Sequence, residues 1–246
     1  MGEVINLSGV NIYTLGLFTA ISFLWGSFVF YKKSSETHFD ESSVMDMVVM
    51  SAFWGFLLAR VGFVLFNLSL FAKHWGRFFM FTEYPGMDRW FAVAGFLAAV
   101  FYSVRKKKGK LFDYLDIFAL GYFSGASLLW VFLSLVSFQW QRILIGLLCL
   151  LTTFLLWKSE KTYRFLDWYK GTKTYARTGF VFGMGLIAVG ILYLIELGLY
   201  AQRNWQYYGF GVTMFVIGIA LLYIRSGRML EEDFSIIKKW KKIKTK

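Results

Sequence analysis

Seven apolar stretches dominate the chain and alternate with short polar segments. They cover residues 11–31, 44–71, 90–104, 114–136, 143–157, 178–200 and 207–224. A helix needs roughly 20 mostly apolar residues to cross a bilayer, because lipid offers no partner to an unpaired backbone group. The pattern therefore predicts about seven membrane-spanning helices. The third and fifth stretches have only about 15 residues, which leaves a tilted or re-entrant geometry open for them.

Composition supports a membrane protein and excludes other classes. Of the 246 residues, 57% are hydrophobic and 21% are aromatic, which is too apolar for a soluble globular domain. Disorder requires low hydrophobicity, so the net charge of +12 does not indicate it. The single cysteine, Cys149, cannot form an intramolecular disulfide, and no Cys/His cluster has metal-ligand spacing. We therefore expect no cofactor and no metal. His38 and His74 fall in loops on opposite sides, which gives no support to a catalytic histidine pair.

The basic residues are distributed unequally between the two sides of the predicted membrane. Alternate loops carry 21 Lys and Arg on one side and five on the other, and Arg60 lies inside a helix. Since cytoplasmic segments carry the basic excess, the chain is predicted to be an all-α polytopic bundle with its N-terminus outside and its C-terminus in the cytoplasm. We expect one transmembrane domain over residues 1–246, with a basic cytoplasmic tail at 225–246. This topology explains the net charge without a nucleic-acid partner. No basic n-region precedes the first helix, so it is expected to stay in the mature protein.

Two segments outside the predicted spans are rich in aromatic or basic residues. The outer connection 72–89 is aromatic and holds the only proline, so we expect it in the headgroup layer. Segment 228–246 mixes apolar residues with lysines and either rests on the anionic inner leaflet or is an ordinary positive-inside tail.

Small residues four apart predict close helix packing in the second, fourth and sixth spans, which we expect to form the inner bundle. These pairs are Gly55 with Ala59, Gly121 with Gly125, and Gly179 with Gly183.

Arg60 and Glu196 are the main candidates for function, because ionisable residues in the hydrocarbon layer are costly. Arg60 lies about 24 Å and Glu196 about 27 Å from the cytoplasmic start of its helix, at 1.5 Å per residue. Two interpretations stay open. The residues form a structural ion pair, or Arg60 binds a lipid phosphate that Glu196 orients. Asp113 and Asp116 are interpreted as caps of the fourth helix.

Several stretches resemble one bacterial family. Residues 12–17 read IYTLGL, residues 55–66 read GFLLARVGFVLF, and residues 84–87 read YPGM. In this order they are similar to the first-helix start, the G-A-R-L-G-Y-V-L-F stretch and the G-G-M of prolipoprotein diacylglyceryl transferases. Asp116 and Glu196 match an aspartate and a glutamate of that pattern. The resemblance implies transfer of diacylglyceryl from phosphatidylglycerol to a lipoprotein-precursor cysteine at the bacterial inner membrane. It also implies phospholipid binding by Arg60, Glu196 and Tyr13.

The chain departs from the family pattern at its chemical positions. Trp90 stands where the family has the histidine of H-G-G, and Trp130 and Leu133 stand at the arginine and asparagine of G-R-x-G-N-F. Leu192 and Leu199 stand at two further arginines. Because tryptophan has no proton-accepting site, it cannot replace the histidine. We therefore expect either a transferase with a degenerate site, a pseudoenzyme at the extreme, or a non-enzymatic phospholipid-binding or assembly protein with the same fold. The catalytic residues are unknown. A transporter is less favoured, because paired broken helices and a chain of midplane charges are missing from the sequence.

Overall fold

The computed structural model of the chain describes residues 4–7, 10–37, 40–72, 74–81, 83–84, 86–106, 109–170, 176–201 and 205–227. Contacts divide the chain into two compact units. The first, called the larger unit, joins Met1–Phe30 to Leu115–Lys246, and the second, the smaller unit, is Tyr31–Tyr114. The predicted leaflet-binding segment 228–246 lies outside the described residues, and the prediction of a single domain stays a prediction.

Helices form most of the described chain. A β-hairpin precedes them, in which β1 (Val4–Leu7) pairs antiparallel with β2 (Val10–Tyr13). In chain order the helices are α1 (Thr14–Glu36), α2 (Glu41–Phe66), α3 (Leu68–Phe71), α4 (Arg89–Lys106), α5 (Leu111–Ser137), α6 (Trp140–Thr162), α7 (Asp167–Lys170), α8 (Phe180–Leu199) and α9 (Trp205–Ser226), with 3-10 turns at Trp75–Phe79 and Tyr163–Phe165.

The predicted all-α polytopic membrane architecture is confirmed, with the short hairpin as an addition. Five helical segments of the described chain are long and apolar enough to cross a membrane. They are Glu41–Phe66, Leu111–Val136, Trp140–Phe165, Phe180–Leu199 and Tyr208–Ser226. Helices α1 and α4 correspond to the first and third predicted spans but are not among these five. The number of spans and their orientation stay predictions.

Helix ends differ from the apolar stretches for local reasons. Helix α1 starts at Thr14 because the preceding residues pair as a strand. The second stretch divides at Asn67, where α2 ends and α3 follows. Helix α6 has 23 residues, since polar residues at both ends continue its turns. Helix α8 starts at Phe180 because Gly179 takes a left-handed conformation, with φ of 105°, that favours glycine.

Glycines mark the places where helices approach most closely. In the smaller unit, a Cβ at Gly95 of α4 would overlap the carbonyl of Trp54 on α2. In the larger unit, a Cβ at Gly121 of α5 would lie 2.8 Å from the carbonyl oxygen of Gly26 on α1. A Cβ at Gly190 of α8 would lie 2.7 Å from the carbonyl oxygen of Gly211 on α9. Small residues permit such contact between backbones in lipid.

The predicted small-residue pairs pack against helices other than those expected. Gly55 faces Phe96 of α4, and Gly183 faces Leu222 of α9. Gly125 lies against α1, where its Cβ would come 2.8 Å from the carbonyl oxygen of Ser22. The prediction for Gly179 is wrong, because this residue caps α8 and does not lie inside it. The spacing thus identified close packing but not the partner helices.

Candidate functional site

Arg60 lies in α2 with a fully buried side chain, 0% exposed. Its guanidinium donates four hydrogen bonds, and every acceptor is a backbone carbonyl of the loop between α3 and α4. Nε donates to the carbonyl of Phe78 at 2.9 Å, and Nη2 donates to that of Arg77 at 3.2 Å. Nη1 donates to Tyr84 at 2.7 Å and to Gly86 at 3.0 Å. Because a guanidinium has five N–H groups, these bonds leave at most one for any other ligand.

Four aromatic rings complete the surroundings of this guanidinium. Its central carbon lies 4.7 Å from the ring centroid of Phe81, and 5.5 to 6.0 Å from those of Phe63, Phe71 and Phe78. A cation within about 6 Å of an aromatic centroid is attracted by the ring quadrupole, and more strongly where water is excluded. The charge of Arg60 is therefore stabilised by dipoles and rings of the smaller unit.

The loop held by Arg60 is fixed to α2 at its far end as well. The backbone N–H of Asp88 donates to the carbonyl of Ala59 at 2.9 Å. The Asp88 carboxylate then accepts from the N–H groups of Trp90 and Phe91, at 3.0 and 2.8 Å, and caps the start of α4. Gly86 lies so close to Phe63 that a Cβ would overlap the ring. The loop thus passes directly from Arg60 into the first turn of α4.

Trp90, which the resemblance aligns with the family histidine, lies in that first turn. Its side chain is half-buried, and the Arg89 guanidinium carbon is 4.8 Å from its ring centroid. An indole can donate one hydrogen bond but cannot accept a proton. In α5, Trp130 lies against Gly146 of α6, whose Cβ would come 3.4 Å from the Trp130 Cβ. Regular helix therefore places apolar rings at both positions.

The other two predicted lipid ligands belong to the larger unit. Glu196 lies in the last turn of α8 and is half-buried, and its backbone carbonyl accepts from the N–H of Tyr200 at 3.1 Å. Tyr13 is the last residue of β2, and its side chain lies outside the described part of the structure. Because Arg60 belongs to the smaller unit, its pairing with Glu196 stays a prediction.

Asp116 differs from its sequence interpretation. It was expected to cap its own helix, but it lies beyond the first turn of α5 and caps α8 instead. Its side chain is 6% exposed, and its two carboxylate oxygens accept from the N–H groups of Gly179 and Phe182, both at 2.7 Å. A carboxylate at a helix N-terminus satisfies unpaired donors and complements the helix dipole. Arg225 of α9 fixes the same turn, because its Nε donates to the Thr178 carbonyl at 2.8 Å.

An aromatic cluster covers the start of α8. The rings of Tyr163 and Tyr169 contact that of Phe180 at centroid distances of 5.5 and 4.8 Å. The Tyr169 side chain is buried, and its hydroxyl lies near Arg225 without a hydrogen bond of ordinary geometry in the described part. Burial, together with the nearby Asp116 carboxylate, raises the pKa of the Tyr169 phenol above its usual value, against a smaller opposing effect of Arg225.

Sequence reasoning found Arg60 but missed what it binds, since backbone carbonyls leave no signal in a sequence. The aromatic loop with its single proline was the available hint. Asp116 was found without its partner, which lies 63 residues further along the chain. Among the residues that the structure describes, no group of three or more His, Cys, Asp or Glu side chains is placed to hold a metal ion.

Comparison with known proteins identifies a family. The sequence model of prolipoprotein diacylglyceryl transferases matches residues 3–129, slightly more than half of the chain. A relative is the phosphatidylglycerol–prolipoprotein diacylglyceryl transferase of Caldanaerobacter subterraneus subsp. tengcongensis, 30% identical over 114 residues. That match covers 45% of this chain and 43% of the relative, so it spans less than half the length of either protein. Residues 3–129, which the family model matches, contain Arg60, its loop, Trp90 and Asp116. The chain belongs to the prolipoprotein diacylglyceryl transferase family.

Proposed function

We propose that this chain is a multi-pass protein of the bacterial plasma membrane that binds anionic phospholipid and transfers diacylglyceryl at a greatly reduced rate. The name of the relative specifies phosphatidylglycerol and prolipoprotein. We propose phosphatidylglycerol as the lipid ligand of this chain. We propose the lipoprotein precursor as a peptide partner that the chain modifies slowly. The fold supports the membrane location, since five helical segments are long and apolar enough to span a bilayer.

The observation that carries this proposal is Trp90 in the first turn of α4, directly after the loop that Arg60 holds. Transfer to a thiol requires a thiolate, a bound phosphate ester and stabilisation of the leaving glycerol phosphate. Loss of a general base alone typically costs a factor of about 10² to 10⁴ in rate. Trp130 and Leu133 remove further polar groups at positions that the resemblance assigns to the site. A binder without turnover is the limiting case of the same proposal.

The proposed lipid ligands are Arg60, Glu196 and Tyr13. The geometry of Arg60 sets a condition on this assignment, because four of its five N–H groups donate to loop carbonyls. A phosphate can accept two hydrogen bonds from the guanidinium only after it replaces at least one carbonyl. Lipid binding and loop attachment at Arg60 therefore compete for the same donors.

The transfer reaction is tested with the full chain in vesicles that contain phosphatidylglycerol, together with a peptide that carries the lipoprotein cysteine motif. Mass spectrometry of the peptide measures addition of diacylglyceryl. We expect a rate at least about a hundredfold below that of a family member with the histidine. The variant that combines Trp90→His, Trp130→Arg and Leu133→Asn should transfer faster than the parent chain. Comparable rates in the parent chain and the intact family member would contradict the degenerate site.

The lipid ligands are tested by native mass spectrometry of retained phosphatidylglycerol against retained phosphatidylethanolamine. Arg60→Ala should reduce the preference for phosphatidylglycerol several-fold or more, because a hydrogen bond to a charged group contributes about 1.5–3 kcal/mol. Arg60→Lys should recover only part of it, since the planar fork is lost. Under the structural alternative, folded Arg60→Ala keeps its selectivity but melts at a lower temperature, and removing Glu196 as well restores stability. Unchanged selectivity in folded Arg60→Ala protein would exclude the headgroup site.

A further inference from the structure

The loop between α3 and α4 is attached to α2 mainly through Arg60. Four carbonyl oxygens, from Arg77, Phe78, Tyr84 and Gly86, accept from one guanidinium. Two further contacts assist. Arg77 donates from Nη1 to the carbonyl of Leu70 at 2.8 Å, and its guanidinium carbon lies 5.2 Å from the Tyr84 ring centroid. This arrangement places one buried charge at the centre of the loop.

The same loop presents aromatic side chains away from Arg60. Phe79 is 76% exposed and directly follows Phe78, whose carbonyl accepts from the guanidinium, and Trp75, two residues before Arg77, is 67% exposed. Large aromatic rings at the end of a spanning helix are favoured in the headgroup layer. The loop therefore has an inner side bound to Arg60 and an outer side suited to the lipid surface.

We propose that this loop is a strap that an anionic phospholipid headgroup releases, by replacing the loop carbonyls on Arg60 with phosphate oxygens. The strap rests on the proposed function, because it requires that phosphatidylglycerol binds at Arg60. Guanidinium–phosphate pairs are bidentate and carry a charge on both partners, whereas a carbonyl is a neutral acceptor. Each phosphate bond is therefore stronger than the carbonyl bond that it replaces, which offsets part of the loss of the loop contacts. The loop and the lipid are then alternative ligands of one cation.

This competition has a consequence that a simple headgroup site does not share. Linkage requires that whatever weakens the loop on Arg60 strengthens the lipid, as long as Arg60 itself is intact. The apparent affinity of the lipid rises with the fraction of molecules in which the loop is released. A substitution that loosens the loop without altering its charge should therefore increase retention of phosphatidylglycerol.

Two glycines of the loop supply a matched pair of variants. A Cβ at Gly86 would overlap the ring of Phe63, so Gly86→Ala forces either the loop backbone or this ring to move, and both contact the Arg60 guanidinium. A Cβ at Gly76 would have nothing within 4 Å, so Gly76→Ala leaves the loop in place. Arg77→Gln is a second loosening variant for the exchange measurement alone, because it removes the bond to Leu70 but also one positive charge of the loop.

The experiment uses the full chain in nanodiscs with defined ratios of phosphatidylglycerol and phosphatidylethanolamine. Hydrogen exchange of the peptide 76–88 measures release of the loop, and native mass spectrometry measures lipid selectivity. We expect Gly86→Ala to exchange faster in the loop and to prefer phosphatidylglycerol about fivefold or more above wild type. Gly76→Ala should match wild type in both measurements. In wild type, phosphatidylglycerol should accelerate exchange of the loop.

The outcomes separate the strap from the proposed function. If wild type shows no preference for phosphatidylglycerol, the proposed lipid ligand is wrong. If wild type prefers phosphatidylglycerol but Gly86→Ala loosens the loop without raising that preference, the strap is wrong and lipid binding stands. If neither Gly86→Ala nor Arg77→Gln changes the exchange of the loop, its contacts do not hold it and the strap is also wrong.

Discussion

Replacing Asp116 is the sharpest test of how the larger unit is built. Its two carboxylate oxygens accept hydrogen bonds of 2.7 Å from Gly179 and Phe182, at the start of α8. A hydrogen bond to a charged acceptor contributes about 1.5–3 kcal/mol, so two of them contribute roughly 3–6 kcal/mol. Removing a buried carboxylate also relieves its desolvation cost, which opposes this loss. We expect Asp116→Ala to lower the free energy of unfolding by at least about 2 kcal/mol.

Two further variants make the Asp116 prediction specific. Asp116→Asn keeps one oxygen acceptor but turns an amide donor toward the second N–H. We therefore expect its free energy of unfolding to lie between those of wild type and Asp116→Ala. Asp113→Asn is the matched control, because it lies one turn earlier in α5 and its buried Oδ1 has no hydrogen-bond partner in the described part. Its loss should stay below about 1 kcal/mol, the usual size of a charge effect in the first turn of a helix.

The assay for Asp116 combines a global and a local measurement. Denaturant titration in detergent gives the free energy of unfolding, and hydrogen exchange of residues 178–184 reports the start of α8. Asp116→Ala should lose protection in that peptide before the rest of the helix does. Equal losses for Asp116→Ala and Asp113→Asn, or unchanged protection of α8, would refute the assignment of Asp116 as its cap.

Three other predictions concern packing and topology. Tyr169→Phe removes a buried hydroxyl that makes no hydrogen bond of ordinary geometry, so thermal melting should show a change of less than about 1 kcal/mol in either direction. Because the pKa of Tyr169 is raised, wild type should also lose more stability than this variant above about pH 10, where the unfolded phenol ionises. A clear loss in Tyr169→Phe at neutral pH would contradict the first point, and parallel stability curves above about pH 10 would contradict the second. Gly190→Ala should cost about 1–3 kcal/mol in denaturant titration, because its Cβ would press on the backbone of α9, whereas Gly209→Ala has open space and should cost nothing. Cysteine labelling at Ser8 and Thr245 should occur from opposite sides of the membrane, and labelling of both from one side would refute the topology.

Hydropathy located the helices better than their ends. The stretch 143–157 identified α6 but omitted residues at both ends, because polar residues can continue a helix beyond the hydrocarbon layer. The hairpin was missed for the opposite reason. Residues 11–13 of its second strand are mostly apolar and were included in the first predicted span, although Ser8 and Gly9 between two runs rich in Val and Ile are a recognised turn signal. Apolarity indicates burial and does not distinguish a strand from the start of a helix.

Only the charged side chains of the candidate site could be predicted from the sequence, and not the backbone groups that they bind. Arg60 stands out in a sequence because a charge within an apolar stretch is costly. Its hydrogen-bond acceptors do not stand out in the sequence, since every residue has a carbonyl. Only the fold directs four of these carbonyls to one guanidinium. Asp116 is similar, because its partners are backbone N–H groups on another helix. Sequence spacing describes neighbours along one helix, and both sites depend on contacts between elements.

The residues that most resemble the family build a framework around Arg60 in the structure. The stretch around Arg60 carries the strongest resemblance, and its role in the structure is to hold a loop through backbone carbonyls. Asp88 then caps α4 and fixes the turn in which Trp90 lies. The described contacts thus fix the turn that carries Trp90, a side chain that cannot accept a proton. In the proposed function, the same framework supplies the buried cation that an anionic headgroup would bind.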